Sequence, residues 1–509
     1  MSLTTQTNNH ALQILQDAFA IAKLNGKFYG VENSQVKAIT SGCSNESLTL
    51  LEKRDAELAM KRILESSAVA SDPKRVIPDF WVNPSTRVYR RVAFDPRDNG
   101  PDILNLWCPS PIKPLSCDWY PLYYFLNTII CNGDETLFDY LIKFLAHALR
   151  HPYDKPGIVI VLLGGQGVGK GMFFKLLRRL WPTTCLMVSD VKQVVGGFNA
   201  ALESKYIVTM DEAIFVGDRG STERLKSMVT EEQIVVEDKY QPRRSIRSIH
   251  RFFAASNAEH FSQVDRDDRR FLFLRVSSVK QGDFDYFENL VKAIDDEGVL
   301  SGFVDSLMRL NLTGFNVRQR PKTPEHATQS LKSLGGFERF WFEVLLMGDL
   351  RGRDRPVANF NGFSQEVWDE ARFAPTKLLV TLFTDFDTFG QRYGAAQQAE
   401  LHRQLGRLCP SSKPNRRHHG PMTSLNEREQ VRGFDLPSLE VARAEFCNAL
   451  GVLIDWDTGA AIPLNSSGKD ATADNAIVAD YAWWDATLLN GHNCMNVPAA
   501  AQWAETEGP

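Results

Sequence analysis

The chain of 509 residues has no hydrophobic run long enough to cross a membrane. Its longest uninterrupted apolar stretch, Ile158–Leu163, is six residues, against roughly 20 for a spanning helix. The first thirty residues lack a basic segment followed by an apolar one, so no secretory signal is read. Cysteine is sparse: eight thiols, at 43, 108, 117, 131, 185, 409, 447 and 494, with no C-x-x-C pair. The expectation is reduced, buried thiols in a cytoplasmic protein rather than a disulfide frame or a zinc site. Neither sign of charge is in excess: 58 Lys and Arg face 62 Asp and Glu, a net charge of -4. That excludes a globally basic nucleic-acid coat and leaves local patches as the route to any DNA contact. There is no internal repeat and no low-complexity tract, so solenoid, collagen and fully disordered classes are excluded. What is present is 43% apolar and 24% charged residues, ordinary globular material whose length suggests about three domains.

Proline and glycine punctuate the chain into blocks. Residues 1–100 combine helical spacing over Ala11–Leu24 and Asp55–Glu65 with a strand-like run at Arg87–Phe94, predicting a small α+β region. Over 101–150, Leu137, Tyr140, Leu141, Phe144, Leu145, Ala148 and Leu149 recur at three and four. They predict an amphipathic helix opened by Asp134 and Glu135, part of a helical collar. Residues 151–330 alternate apolar runs (158–163, 206–210, 251–255, 271–276) with helical stretches, the pattern of an α/β domain with a mainly parallel sheet. A mixed block follows over 331–456. Residues 457–509, rich in Ala, Asn, Asp and Ser, have the composition of a flexible tail.

The first apolar run of the α/β block leads directly into Gly164, Gly165, Gln166, Gly167, Val168, Gly169, Lys170, Gly171 and Met172. Strand, G-x-x-x-x-G-K loop and helix in this order make a phosphate-binding loop. Glycines let successive N–H groups face one concavity, the helix N-terminus adds positive potential, and Lys170 reaches the β- and γ-phosphates of ATP. Gly171 stands where Ser or Thr usually offers a hydroxyl to Mg²⁺, so the metal depends more on water and on the acidic motif downstream. That motif closes the run Tyr206–Met210 with Asp211-Glu212. Asp211 is the candidate metal residue, through water, and Glu212 the candidate for polarising an attacking water.

A third run, Arg251–Ser256, ends at Asn257, a candidate for positioning that water. Arg269 and Arg270 precede the apolar Phe271–Leu274. An arginine placed there can reach the γ-phosphate held by a neighbouring subunit, the plainer reading being a surface ion pair with Asp267 or Asp268. From Lys239 to Arg251 there are five Lys or Arg, one His and no acid, with Tyr240 among them. Lys239, Tyr240, Arg243 and Arg244 are therefore candidate DNA contacts on a basic hairpin, which a solvated surface hairpin would equally explain. Leu401–Asn426 holds five Lys or Arg, three His and no acid. Arg416 and Arg417 are its candidate DNA contacts, a partnerless basic loop being the alternative.

With these elements assembled, the stretch of about 95–280 resembles superfamily 3 helicases, the AAA+ ring motors of small viruses, phages and plasmids. It is most similar to the phage and satellite branch related to D5-like primase-helicases. The resemblance rests on Arg91–Asp95, His151-Pro152, the phosphate loop, Tyr206–Glu212, Phe252–Asn257 and Arg269-Arg270-Phe271. It implies an α/β AAA+ P-loop motor over 151–330 and a pore hairpin within Leu225–Ile249. It further implies a hexameric homo-oligomer with Mg²⁺ and ATP shared between neighbours. Residues 331–456 resemble the winged-helix-like segment of phage relatives through Thr376–Leu379 and Arg432–Leu439.

The expected function is an ATP-dependent ring helicase translocating on single-stranded DNA during replication of a phage or mobile element, in the host cytoplasm. Residues 1–100 are too short for a primase-polymerase fold and show no carboxylate pair on neighbouring strands, so a separate primase and polymerase are expected. One alternative is an ATP-switched initiator that binds origin duplex DNA without processive unwinding. The other is a P-loop enzyme that does not act on DNA, such as a small-molecule kinase.

Overall fold

The computed structural model describes the chain except for residues 1–2, 25, 42–47, 68, 70–71, 98–99, 198, 214–218, 238–243, 258–260, 262–263, 266–267, 350–367, 387–393, 423–427 and 464–509. It forms two compact units. One contains Met1–Phe261 and Arg269–Pro321; the other contains Ser262–Asp268 and Lys322–Ala471.

The first unit opens with α1 (Leu3–Ala18), β1 (Phe19–Leu24), β2 (Lys27–Glu32), α2 (Asn33–Thr40), β3 (Leu51–Glu52), α3 (Lys53–Ser66), α4 (Pro73–Val82) and β4 (Val88–Tyr89). The sheet order is β3-β2-β1-β4. The helical stretch expected over Ala11–Leu24 stops at Ala18. Phe19–Ala22 are instead buried strand residues, and β1 pairs antiparallel with β2 from Phe19↔Glu32 to Leu24↔Lys27. The cause is the Asn25-Gly26 dipeptide, a hairpin signal stronger than the helical spacing that overlaps it, with Gly26 at φ 80°. The run Arg87–Phe94 also divides: β4 joins β1, while β5 (Arg91–Ala93) pairs with β6 (Ile103–Asn105).

Next come α5 (Tyr120–Tyr124), a π-helical turn (Phe125–Ile130) and α6 (Glu135–Arg150). Asp134 caps α6, its side chain accepting from Leu137 N at 3.0 Å. The α/β core then runs β7 (Val159–Leu163), α7 (Lys170–Leu180), β8 (Cys185–Val188), α8 (Lys192–Val195), β9 (Ile207–Met210), α9 (Arg219–Thr230), β10 (Gln233–Val236), β11 (Arg244–Arg247), β12 (Arg251–Ser256), β13 (Phe271–Arg275), α10 (Phe284–Asp295) and α11 (Glu297–Arg309). All neighbours in the sheet β13-β7-β12-β9-β8 are parallel. Every residue of β7, β9 and β12 is buried, as a parallel sheet covered on both faces requires. The four apolar runs read from sequence are four of these strands. The fifth, β8, went unread because its Cys-Leu-Met-Val segment is a short, half-exposed edge.

In the second unit, α12 (Pro324–Lys332) and α13 (Gly336–Met347) precede β14 (Arg372–Pro375), α14 (Thr376–Phe386), α15 (Gly394–Leu408), β15 (Lys413–Met422), β16 (Arg428–Leu436), α16 (Leu439–Leu450), β17 (Val452–Ile454) and β18 (Ala461–Pro463). The antiparallel sheet is ordered β14-β16-β15. Its core is built on Trp341, Trp368, Leu379, Leu405 and Phe446. Among the described residues no helix is long and apolar enough to cross a membrane. Cys108, Cys131, Cys409 and Cys447 are buried free thiols; burial pushes Cys409 up to about 12.

Candidate nucleotide site

Leu163 delivers the chain from an inner strand of the sheet, β7, into the glycine loop. The loop depends on two backbone conformations that favour glycine: Gly167 has φ 78° and Gly169 φ 107°. A Cβ at Gly169 would also meet the rings of Phe287 at 3.1 Å and Phe125 at 3.3 Å. Gly165, Gln166 and Gly167 are exposed while Val168 is buried, so the loop is anchored at its base and open at its crest.

Lys170 begins α7 and turns back over the loop. Its ammonium donates to Gly164 O at 2.7 Å, Gly165 O at 2.6 Å and Asn257 Oδ1 at 2.7 Å. Burial lowers its pKa, opposed by the charges of Asp211 and Glu212. An incoming phosphate would replace one of three satisfied acceptors without stranding a bare ammonium. Asp211 and Glu212 follow β9, and Glu212 N donates to Asp211 Oδ1 at 3.0 Å. Glu212 is exposed and sits at φ 51°, a left-handed conformation that non-glycine residues adopt at a cost and that clusters at functional sites.

The sheet order places β12 between β7 and β9, so Asn257 stands between the lysine and the carboxylates. Lys170, Asn257, Asp211 and Glu212, apart by up to 87 residues in sequence, thus gather at the carboxyl ends of three neighbouring strands, the usual ligand edge of a parallel sheet. Asp211 offers the carboxylate oxygen through which a divalent cation would be held by way of water. A Cβ added at Gly171 meets nothing within 4 Å, so the missing hydroxyl reflects residue identity and not lack of room.

Arg269 and Arg270 lie at the other edge. Val159 N donates to Arg270 O at 2.7 Å at the start of β7, so both arginines sit at the amino ends of strands roughly 15 Å long. They do not join their own phosphate loop. Arg269 is exposed, whereas Arg270 is half-buried with its Nε sealed from solvent. Lys239, Tyr240 and Arg243 fall outside the described residues. Arg244 opens β11, which pairs antiparallel with β10, so the basic segment is carried on a hairpin. Arg416 is exposed on β15 directly opposite Arg432, and Arg417 is opposite Val431.

Two basic-segment residues are removed from the surface. Arg251 is fully buried: Nε donates to Tyr206 Oη at 2.5 Å, and Nη2 to His147 Nδ1 at 2.9 Å, Asp154 O at 3.1 Å and His151 O at 3.2 Å. It ties the starts of β9 and β12 to the His151-Pro152 connection. His250 is equally buried, with Nε2 on Leu202 O at 2.9 Å and Nδ1 on Ser248 Oγ at 3.0 Å. Lys155 completes that network, donating to Ser248 Oγ and Met228 O at 2.5 Å and Glu231 O at 2.6 Å. Sequence reading overlooked Lys155, whose partners lie 73 to 93 residues away; no local pattern announces it.

Burial lowers His250 and His147 to about 4 and Lys155 to about 7. Between pH 6.5 and 4 the unfolded chain therefore binds protons that the folded imidazoles refuse, and stability falls as pH drops through that window. For His250 the displacement from 6.5 to about 4 is worth roughly 3 kcal/mol. Urea midpoints measured at pH 6.5 and 4.5 should decline together, and His250→Gln should flatten the decline. An equal slope in the variant would contradict neutral burial of this imidazole.

Fold and site together set a glycine loop between strand and helix at the carboxyl edge of a five-stranded parallel sheet. Residues 162–270, which span that loop and the strands after it, match a family of unknown function, DUF5906. Over 196 residues the chain is 25% identical to the DNA primase-polymerase of Nitratiruptor phage NrS-1, covering 36% of this chain and 26% of that protein. The chain thus spans about a quarter of the length of this relative. In structure it resembles the apo C-terminal region of NrS-1, with a TM-score of 0.55 and 16% identity, covering 85% of this chain and 99% of that one. Its A form gives a TM-score of 0.52 at 14% identity, covering 84% and 99%. The mixed α/β architecture with its parallel sheet is therefore that of the NrS-1 C-terminal region.

Proposed function

We propose that this chain is a phage replication protein of the D5 type that hydrolyses ATP as a superfamily 3 AAA+ motor and moves on single-stranded DNA. The observation that carries the reading is the meeting of Lys170, Asn257, Asp211 and Glu212 at one sheet edge, with Arg269 and Arg270 at the opposite edge. One subunit then lacks the arginine that its own triphosphate needs, and a ring of copies, a hexamer by the resemblance, supplies it. Relatedness to a phage DNA primase-polymerase supports the replication setting.

In this mechanism Lys170 exchanges a loop carbonyl for a β- or γ-phosphate oxygen. Glu212 takes the proton of the attacking water, and Asn257 holds that water in line. Asp211 would hold Mg²⁺, which would supply charge neutralisation at the phosphate oxygens. Hydrolysis shifts the subunits and carries the hairpin of β10 and β11, with Lys239, Tyr240, Arg243 and Arg244, along the strand.

A second reading, an ATP-switched binder of origin duplex DNA, is favoured by the second unit. Its order of helix, strand, two helices and a long hairpin fits a winged helix, and Arg416 and Arg432 stand exposed on that hairpin. ATP hydrolysis and strand separation with and without single-stranded DNA distinguish the two. Lys239→Ala should keep basal hydrolysis and lose both DNA stimulation and unwinding. Full unwinding by that variant removes the hairpin from the mechanism, and sequence-dependent duplex affinity that survives raised salt favours the initiator.

A further inference from the structure

At the amino ends of the parallel strands, opposite Lys170, the first unit has a cleft of about 410 Å³. Arg247, Arg269 and Arg318 line it, with Lys155, Asp154 and Glu232. The three arginines differ in engagement. Arg318 donates to Lys155 O at 3.2 Å and pairs with Asp154 at 3.3 Å. Arg247 reaches out of the cleft to Asp95 at 2.7 Å. Arg269 is exposed and forms no ion pair with another described residue.

Lys155 is not a free ligand. Its three hydrogen bonds to the end of α9 and to Ser248 make it a rigid part of the wall. Three guanidinium forks therefore share the cleft with two carboxylates. Planar forks with that excess of positive charge suit the oxygens of a phosphate, which they can bind in bidentate fashion.

We infer that this cleft binds a phosphoryl group through Arg269, Arg318 and Arg247, and that Arg247 leaves Asp95 to do so. The inference rests on the hydrolase reading for the consequence that follows. Arg247 ends β11, the returning strand of the basic hairpin, and Glu232, just before β10, lines the same cleft. Exchange of Asp95 for phosphate changes the restraint on β11 and so links phosphate occupancy to the strand pair β10 and β11. A copy's own nucleotide lies at the far end of the sheet, so the phosphate comes from a second copy's nucleotide or from a nucleic-acid backbone.

The test uses the full chain with Arg318→Ala, Arg247→Ala and Asp95→Asn, which keeps the Oδ1 that accepts from Arg97 N. Fluorescent ATP analogue binding, ATP hydrolysis, and affinity for fluorescein-labelled single-stranded DNA across salt concentrations are measured. If a second copy's nucleotide is the source, Arg318→Ala and Arg247→Ala each lose at least tenfold in hydrolysis while still binding the analogue. Mixing either with Lys170→Ala then restores part of the rate. If the backbone is the source, hydrolysis holds, DNA affinity drops and the salt slope falls by about 1. Asp95→Asn, by freeing Arg247, should raise whichever quantity Arg318→Ala lowers. The inference is overturned if both arginine variants keep hydrolysis, DNA affinity and salt slope within twofold of the parent; an unchanged Asp95→Asn overturns the exchange. Analogue binding retained by Lys170→Ala would sink the hydrolase reading instead, a separate result.

Discussion

Lys170→Ala should lose hydrolysis by roughly 10² to 10³, the effect of deleting one preorganised charge donor, and should lose most nucleotide affinity, while its thermal midpoint stays close to the parent's. The contrast follows from the site. Three acceptors at 2.6 to 2.7 Å surround the ammonium, and burial still lowers its pKa. The charged form is thus disfavoured by the fold that surrounds it. On the proposed reading, an ammonium held there is placed for a ligand's phosphate. Isothermal titration with ATP and a parallel melting curve decide the matter. Collapse of the melting point alongside activity would make Lys170 a structural residue and weaken the nucleotide site.

Arg269→Ala and Arg270→Ala should part company. A finger arginine is worth about 10³ to 10⁵ in rate, and on the proposed reading that role falls to Arg269. Arg269 is exposed in the cleft; Arg270 is half-buried, its carbonyl accepting from Val159 N and its Nε sealed. Arg269→Ala should bind ATP normally, fail to hydrolyse it, and regain activity when mixed with Lys170→Ala, since some interfaces then pair an intact loop with an intact arginine. Arg270→Ala should chiefly lower the melting temperature. Steady-state hydrolysis of singles and mixtures measures this, and a fully active Arg269→Ala would end the shared-site model.

Much of the α/β block was legible because its signals are local. An apolar run of six, glycines at fixed offsets and an acidic pair after a second run each lie within a dozen residues, the range over which backbone preference acts. Ala11–Leu24 misled for the same reason: helical spacing and a hairpin dipeptide overlapped, and pairing with β2 decided between them. Arg251 and His250 count toward the basic composition of Lys239–Arg251, yet both are buried. Their partners at His147 and Leu202 lie 104 and 48 residues away.

Residue order alone was enough to set out the phosphate loop, the acidic pair, four of the five parallel strands and the capped helix Glu135–Arg150, since each is encoded by neighbours along the chain. Tertiary structure alone decided that β12 intervenes between β7 and β9, that Arg269 and not Arg270 faces the cleft, and that Arg247 and Arg318 join it from partners 152 and 163 residues distant. Charge, burial and hydrogen bonding are properties of surroundings, and for these side chains the surroundings exist only once strands far apart in sequence lie side by side.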